Sequence, residues 1–293
     1  MLVFWLAIIL ASRPQEQLKP LPDAESFRVA LPRMIGIFNS SLWRAAMHGD
    51  FLPEASEYTY TEKETITTRG LRGEQRVQVN VYDMMRGPEY WNYYRKQTSR
   101  DGSSLSDSEM ERQDHQHQMF VDRMIAAINK SDAGSESTKK QEESRMQAED
   151  NDVRSMFEIR VAGRERIDDL SVIRLELNAR PTYRPRTDYG RQCQHVTLSV
   201  WTTEESHEVV RVTARLGDAF EAGFAVLEKE ATISVERRMI HEKVWLPVRT
   251  EVTGRHDRSD GRRLGPAEHV IAEFSNFKKF TVDTIIRPAG MVQ

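Results

Sequence analysis

The sequence predicts an α+β fold: a large curved antiparallel sheet of about ten strands with only a few helices to cover it. Three observations predict it. Apolar residues alternate with polar ones in many separate segments, the period of a sheet with one buried and one wet face. The segments are joined mostly by polar connections of hairpin length. Helical patterns occur in only two places and do not alternate with the strands, which excludes a repeating βαβ unit.

Taken in order, residues 1–12 (MLVFWLAIILAS) form an apolar run of signal-peptide length, too short to span a bilayer. No Lys or Arg precedes the run, and cleavage after Ala11 would place Ile9 where a small residue is usual. The expectation is an exported, periplasmic or envelope protein, with this segment as signal or membrane tether. No cysteine stands at the cleavage point, so no lipid anchor is expected. Residues 13–23 read as a Pro-rich linker, 24–284 as one domain and 285–293 as a tail.

From Ala24 to about His48, Phe27, Leu31, Met34, Ile35, Phe38, Leu42, Trp43 and Met47 recur at helical spacing, with a break expected at Pro32. Strands follow over YTYTEKETITTRG, QRVQVNVYDMM and EYWNYYRKQ; the last carries Tyr90, Trp91, Tyr93 and Tyr94, read as core or edge packing. Ser106 and Glu109 form a capping box for a helix to about Asn129, with Met110, Phe120, Met124, Ile125 and Ile128 on its apolar side. Lys130 to Asp152 contains no branched aliphatic or aromatic residue and is read as either a solvated helix extension or disordered, with a mobile hairpin between two helices preferred. The sheet resumes with FEIRVAGRERI and with Ile173, Leu175, Leu177 and Ala179 on one parity. Val196, Leu198 and Val200 repeat the pattern, as do Val210, Val212, Ala214 and Leu216. After Leu216 a short turn or helical segment is expected, then strands over Ala231, Ile233 and Val235, over Val244, Leu246, Val248, Thr250 and Val252, and over HVIAEFSNFKKFTV.

Composition narrows the function. The chain has 39% hydrophobic and 30% charged residues and a net charge of −3, so no clustered basic footprint for nucleic acid is expected. The single cysteine, Cys193, excludes an internal disulfide and a cysteine-based zinc site. His115 and His117 with Glu111 and Asp114 lack further ligands and read as a solvated helix face. Asp168-Asp169 and Glu204-Glu205 sit where turns belong, and no nucleophile elbow, phosphate loop or dinucleotide fingerprint occurs. A non-enzymatic protein without metal or cofactor is expected. The excursion RPTYRPRTDYGR, with Arg180, Tyr183, Arg184 and Arg186, has two readings: a rim that meets an anionic head group or partner, or a proline-stiffened connection with solvated arginines.

The succession of a helix, YTYTEKE, a helical insertion, FEIRVAGRERI, IRLELNARPTYRPRT, LSVWTTEESHEVVRV and VWLPVRTEV resembles the outer-membrane lipoprotein-sorting-protein group, with its LolA/LolB-like carrier fold. The resemblance spans roughly Ala24 to Thr284. It implies an incomplete barrel whose helices act as a lid over a hydrophobic cavity for lipid or lipoprotein acyl chains, and a membrane donor or acceptor protein as partner. By the same resemblance Ile173, Leu175, Leu177, Leu198, Val200, Val212, Ile233, Leu246 and Val248 are candidates for the lining, with Phe38, Leu42 and Trp43 as cover. The chain departs from that pattern in its polar insertion near 106–152. An envelope sensor or protein-interaction module on the same fold is the alternative.

Overall fold

A computed structural model describes residues 19–47, 57–70, 73–86, 93–131, 136–222, 225–241, 244–257 and 268–279. The N-terminal apolar run, Tyr90, Trp91 and the C-terminal tail lie outside these residues.

A 3-10 helix over Ala24–Ala30 starts at Asp23, whose carboxylate accepts from the Glu25 N–H at 3.2 Å. Helix α1 (Leu31–Met47) follows directly. Pro32 is its second residue, where a missing N–H costs nothing; the expected break is the change of helix type at Leu31. Strands β1 (Tyr58–Arg69), β2 (Gln75–Arg86), β3 (Tyr93–Arg100) and β4 (Ser103–Ser104) form a meander. Asp101 and Gly102, at φ 49° and 80°, make the two-residue turn between β3 and β4. Helices α2 (Asp107–Ser131) and α3 (Glu136–Met156) intervene, followed by β5 (Phe157–Ile167), β6 (Leu170–Ala179), a short α4 (Asp188–Cys193), β7 (Val196–Thr203) and β8 (Val209–Leu216). The chain continues through β9 (Phe220–Ala222), β10 (Ala225–Leu227), β11 (Thr232–Ile240), β12 (Val244–Asp257) and β13 (Glu268–Lys279).

Among the described residues thirteen strands form one antiparallel sheet in the order β4-β3-β2-β1-β13-β12-β11-β8-β7-β6-β5, with the β9–β10 hairpin attached to β12, and within these residues the sheet does not close on itself. All ten long strands expected from the alternation are present; the three additional ones are too short to show a period. Two of these, β9 and β10, replace the expected turn or helical segment after Leu216.

Of the readings for Lys130–Asp152 the helical one holds rather than the mobile hairpin: most of it is helix, because Glu, Lys, Gln, Arg, Met and Ala favour it and pairs such as Asp150–Arg154 (2.6 Å) support it. The expected apolar side of α2 is only partly covered: Phe120 and Ile125 are exposed, while Met110 and Met124 are half-buried. Its near end docks on β3, where His117 stacks on Tyr94 at 4.2 Å and Asp114 pairs with Lys96 at 2.9 Å. Of the two expected solvated histidines, His115 is exposed and His117 is half-buried.

Cross-strand register makes the two faces of the sheet explicit, since directly paired residues share a face. One row runs Lys63, Glu273, Arg249, Glu236, Arg211, Trp201, Arg174 across seven strands. It is a charge ladder on the outer face: Lys63–Glu273 is 3.6 Å, Arg211–Glu236 is 3.1 Å, and Arg211 sits over the Trp201 ring. The next row, on the inner face, runs Asn80, Glu64, Ala272, Thr250, Val235, Val212, Val200, Leu175, Val161. Its strand-by-strand composition changes from polar to apolar.

Register shifts interrupt the ladder between β5 and β6, β7 and β8, and β11 and β12. Such bulges bend a sheet and reverse the parity beyond them. Arg237 is buried beside the last of these; it donates to the Val209 carbonyl at 3.2 Å and the Trp245 carbonyl at 2.7 Å. A guanidinium is thus spent on satisfying backbone oxygens next to the bulges.

Candidate functional site

The inner face has an apolar half and a polar half. On the apolar half the 3-10 helix and α1 lay Phe27, Leu31, Met34, Ile35 and Phe38 over the sheet, at the three- and four-residue spacing of one helical side. Beneath them, Ile173, Leu175, Leu177, Leu198 and Val200 are fully buried, and Val212 and Ile233 are 2% exposed. Val153, Met156 and Phe157, where α3 passes into β5, complete the cluster. The structure therefore brings seven of the nine lining candidates together, against the candidate cover residue Phe38. Leu42 and Trp43 fall on the last turns of α1, and their side chains lie outside the described residues.

Leu246 and Val248 do not join this set. Leu246 belongs to a second cluster with Tyr58, Tyr60, Met84, Ala272 and Phe274. Val248 is half-buried in an open outer groove of about 680 Å³ with Ile240 and Phe277. The cause is the bulge between β11 and β12: Arg237 pairs with Pro247 and Glu236 with Arg249, so Val248 is passed over. Simple alternation from Val244 to Val252 cannot show that shift.

The cover is fastened at the turn between β7 and β8. Glu208 accepts from Arg33 of α1 at 2.6 Å, and the His207 ring meets Phe27 at 4.9 Å. Glu204 takes Lys19 at 3.3 Å and Arg164 at 3.0 Å, and Arg164 also donates to the carbonyls of Lys19 (2.6 Å) and Pro20 (3.2 Å). The Arg164 hydrogen bond, foremost, holds the Glu204 carboxyl below its ordinary range. Turn preference alone explained Glu204 in the sequence; its part in a clasp depends on partners 40 and 185 residues away, which only the fold brings near.

The RPTYRPRT excursion is fixed by Asp152, a residue at the end of α3 that composition gave no reason to single out. Its Oδ1 accepts from the Tyr183 hydroxyl at 2.7 Å; its Oδ2 accepts from the Arg186 N–H, the Thr187 N–H and the Thr187 hydroxyl, each at 2.8 Å. Burial pushes this carboxyl up, but the hydrogen bonds together outweigh it and leave it below the ordinary range. Among the rim candidates, Tyr183 and Arg186 thus hold the loop through Asp152, while Arg184 turns back onto the Pro181 carbonyl at 3.0 Å. Arg180 faces a pocket at the edge of the sheet. Beside the loop, Cys193 of α4 is fully buried, and burial pushes its thiol up to about 12.

On the polar half, Glu62 and Glu64 point inward with side-chain exposures of 0% and 6%. Arg95 bridges them at 3.0 Å each and lies 3.5 Å over the Tyr82 ring. Asn80 and the Tyr82 hydroxyl donate to Glu64 at 3.3 and 3.2 Å. Burial, foremost, raises the Tyr82 hydroxyl far above its usual range, against the lowering effect of Arg95. A signal for this cluster was present: Glu62 and Glu64 share the parity of Tyr58 and Tyr60, the aromatic side of β1. Among the described residues no three His, Cys, Asp or Glu side chains converge as a metal site, and no helix is long and apolar enough to cross a membrane.

Together these features define an open antiparallel half-barrel with a helical cover clasped over an apolar inner face. Solved structures similar to it include a DUF1329 family protein from Desulfovibrio piger, 10% identical over 88% of this chain and 94% of that one, with a TM-score of 0.33. An outer membrane lipoprotein-sorting protein domain from Vibrio parahaemolyticus is 8% identical over 87% and 93%, with a TM-score of 0.32. A LolA superfamily protein from Nitrosomonas europaea is 9% identical over 89% and 96%, with a TM-score of 0.27. No family model and no curated protein matches the sequence.

Proposed function

We propose that this chain is a non-enzymatic binding protein of the cell envelope that takes acyl chains of a lipid or lipoprotein between α1 and the inner face of its sheet. The observation that carries the reading is the construction of the cover. One helical segment shields Ile173, Leu175, Leu177, Leu198, Val200, Val212 and Ile233, and polar contacts at a single turn fasten its start. In the closed state the face is filled by the protein's own side chains, so binding requires α1 to move aside.

The magnitudes allow that exchange. Burying each large aliphatic or aromatic side chain is worth about 1.5–3 kcal/mol, so the five cover residues from Phe27 to Phe38 contribute roughly 10 kcal/mol. An acyl chain of about sixteen carbons at about 0.8 kcal/mol per methylene contributes a similar amount. A chain that replaces the cover leaves the total apolar burial almost unchanged, which suits reversible loading. Delivery to a membrane acceptor would follow from the same balance.

Native mass spectrometry of protein purified without denaturant, together with displacement of a fluorescent fatty acid, tests this. Retained lipid or saturable displacement is expected, with faster uptake in Glu208→Gln, which loosens the clasp. A folded protein that carries no lipid and displaces no probe would sink the proposal.

A further inference from the structure

Beside the open edge of the sheet lies a pocket of about 370 Å³, between the 3-10 helix and β5. That volume falls at the lower end of small-ligand sites. Its walls carry Glu25 and Arg28 from the helix, Glu158 and Ile159 from β5, and Arg180 and Pro181 from the start of the loop after β6. Among the described residues Arg28 is engaged by Glu25 alone, at 2.7 Å in an exposed pair one helical turn apart, a weak contact that a stronger anion can replace. Among the described residues, the Arg180 guanidinium and the Glu158 carboxylate have no ion-pair partner. The pocket thus offers two guanidinium groups and a separate carboxylate.

Its floor connects to the apolar half. Ile159 packs against the main core and pairs with Leu177, which pairs with Leu198. On its other side β5 has no neighbouring strand among the described residues. A molecule with a charged head here could therefore extend an apolar tail onto the inner face without crossing a strand.

We propose that this pocket holds the head group of a zwitterionic phospholipid, with the phosphate against Arg180 and Arg28, the ammonium against Glu158, and an acyl chain passing Ile159 onto Leu177 and Leu198. Planar guanidinium groups suit phosphate oxygens through paired hydrogen bonds. The proposal rests on the acyl-binding reading and adds the head-group class and the route.

The test compares phosphatidylethanolamine with diacylglycerol of the same chains, by native mass spectrometry from mild detergent, for the wild-type protein and an Arg28→Gln/Arg180→Gln variant. Circular dichroism and thermal melting check that the variant remains folded. Wild type should hold the phospholipid more tightly. The variant should lose about tenfold for the phospholipid, the scale of one charge-assisted contact, and nothing for diacylglycerol. Equal affinity of wild type for both lipids would overturn the head-group site and leave acyl binding standing, as would an equal loss of both lipids in the variant. Binding of neither lipid to wild type would overturn acyl binding and this proposal together. Free glycerophosphoethanolamine competing as well as the intact phospholipid would overturn the coupling of head-group pocket to apolar face.

Discussion

The two halves of the inner face belong to one continuous antiparallel sheet but to different strands of it, and they are stabilised by opposite means. From β5 to β11 the face is packed by Leu, Ile and Val under α1; across β1, β2 and β3 it carries Glu62, Glu64, Asn80 and Arg95. Apolar packing is non-directional, so its cover can leave and another apolar body can replace it. A buried ion cluster is directional, and each member depends on the others for its place. Under the proposed function the polar half would serve as a fixed wall and the apolar half as the exchangeable one.

The sharpest way to break this comparison is Arg95→Met. It leaves two carboxylates buried without their shared cation, and a loss of about 4 kcal/mol is expected in urea unfolding. Replacing Glu62, Glu64 and Arg95 together by Met should cost far less, because the charges then leave as a set. A small loss in the single variant would mean that the polar half is not a rigid wall.

Leu198→Ala probes the other half and should cost about 3 kcal/mol, the transfer term plus a cavity. If the apolar half accepts a chain, added fatty acid should restore part of that loss by occupying the space, whereas it should do nothing for Arg95→Met. Equal rescue of both variants would remove the distinction between the halves.

The smallest expected effect belongs to Asp152→Asn, at the junction of α3 with the loop, with a loss of about 2 kcal/mol at neutral pH. The sign of its pH dependence follows from the depressed carboxyl. Its contribution is present above the unfolded-state value of about 3.9 and is lost as pH falls through the lower folded-state value. Unfolding curves at a series of acidic pH values should therefore converge for wild type and variant as pH falls. Curves that stay parallel would show that the Asp152 hydrogen bonds contribute no linked protonation.

Much of the sheet was legible in the sequence because period-two alternation depends only on neighbours along the chain. The seven candidate lining residues from Ile173 to Ile233 share one buried cluster for that reason. Val248 falls outside that face because a bulge changes parity beside Pro247, the one residue of that run that suits a bulge better than a regular strand interior, while alternation alone does not count the shift. Asp152 and Glu204 were passed over because each acts through distant partners, in a polar helix and a turn where acidic residues are ordinary. Glu62 and Glu64 were legible in principle, since their parity with Tyr58 and Tyr60 sets two carboxylates on a buried side.

Cys193 is the only thiol in the chain. It lies in α4 beside Tyr189, whose hydroxyl donates to Asn39 of α1 at 2.8 Å. Because burial keeps it protonated and out of reach, it stays unreactive toward oxidants and alkylating reagents in the closed protein. Each modification event therefore dates a moment at which α4 came away from the core. Under the proposed function, labelling kinetics at this one atom would time the opening of the cover through the Tyr189–Asn39 contact that ties α4 to α1.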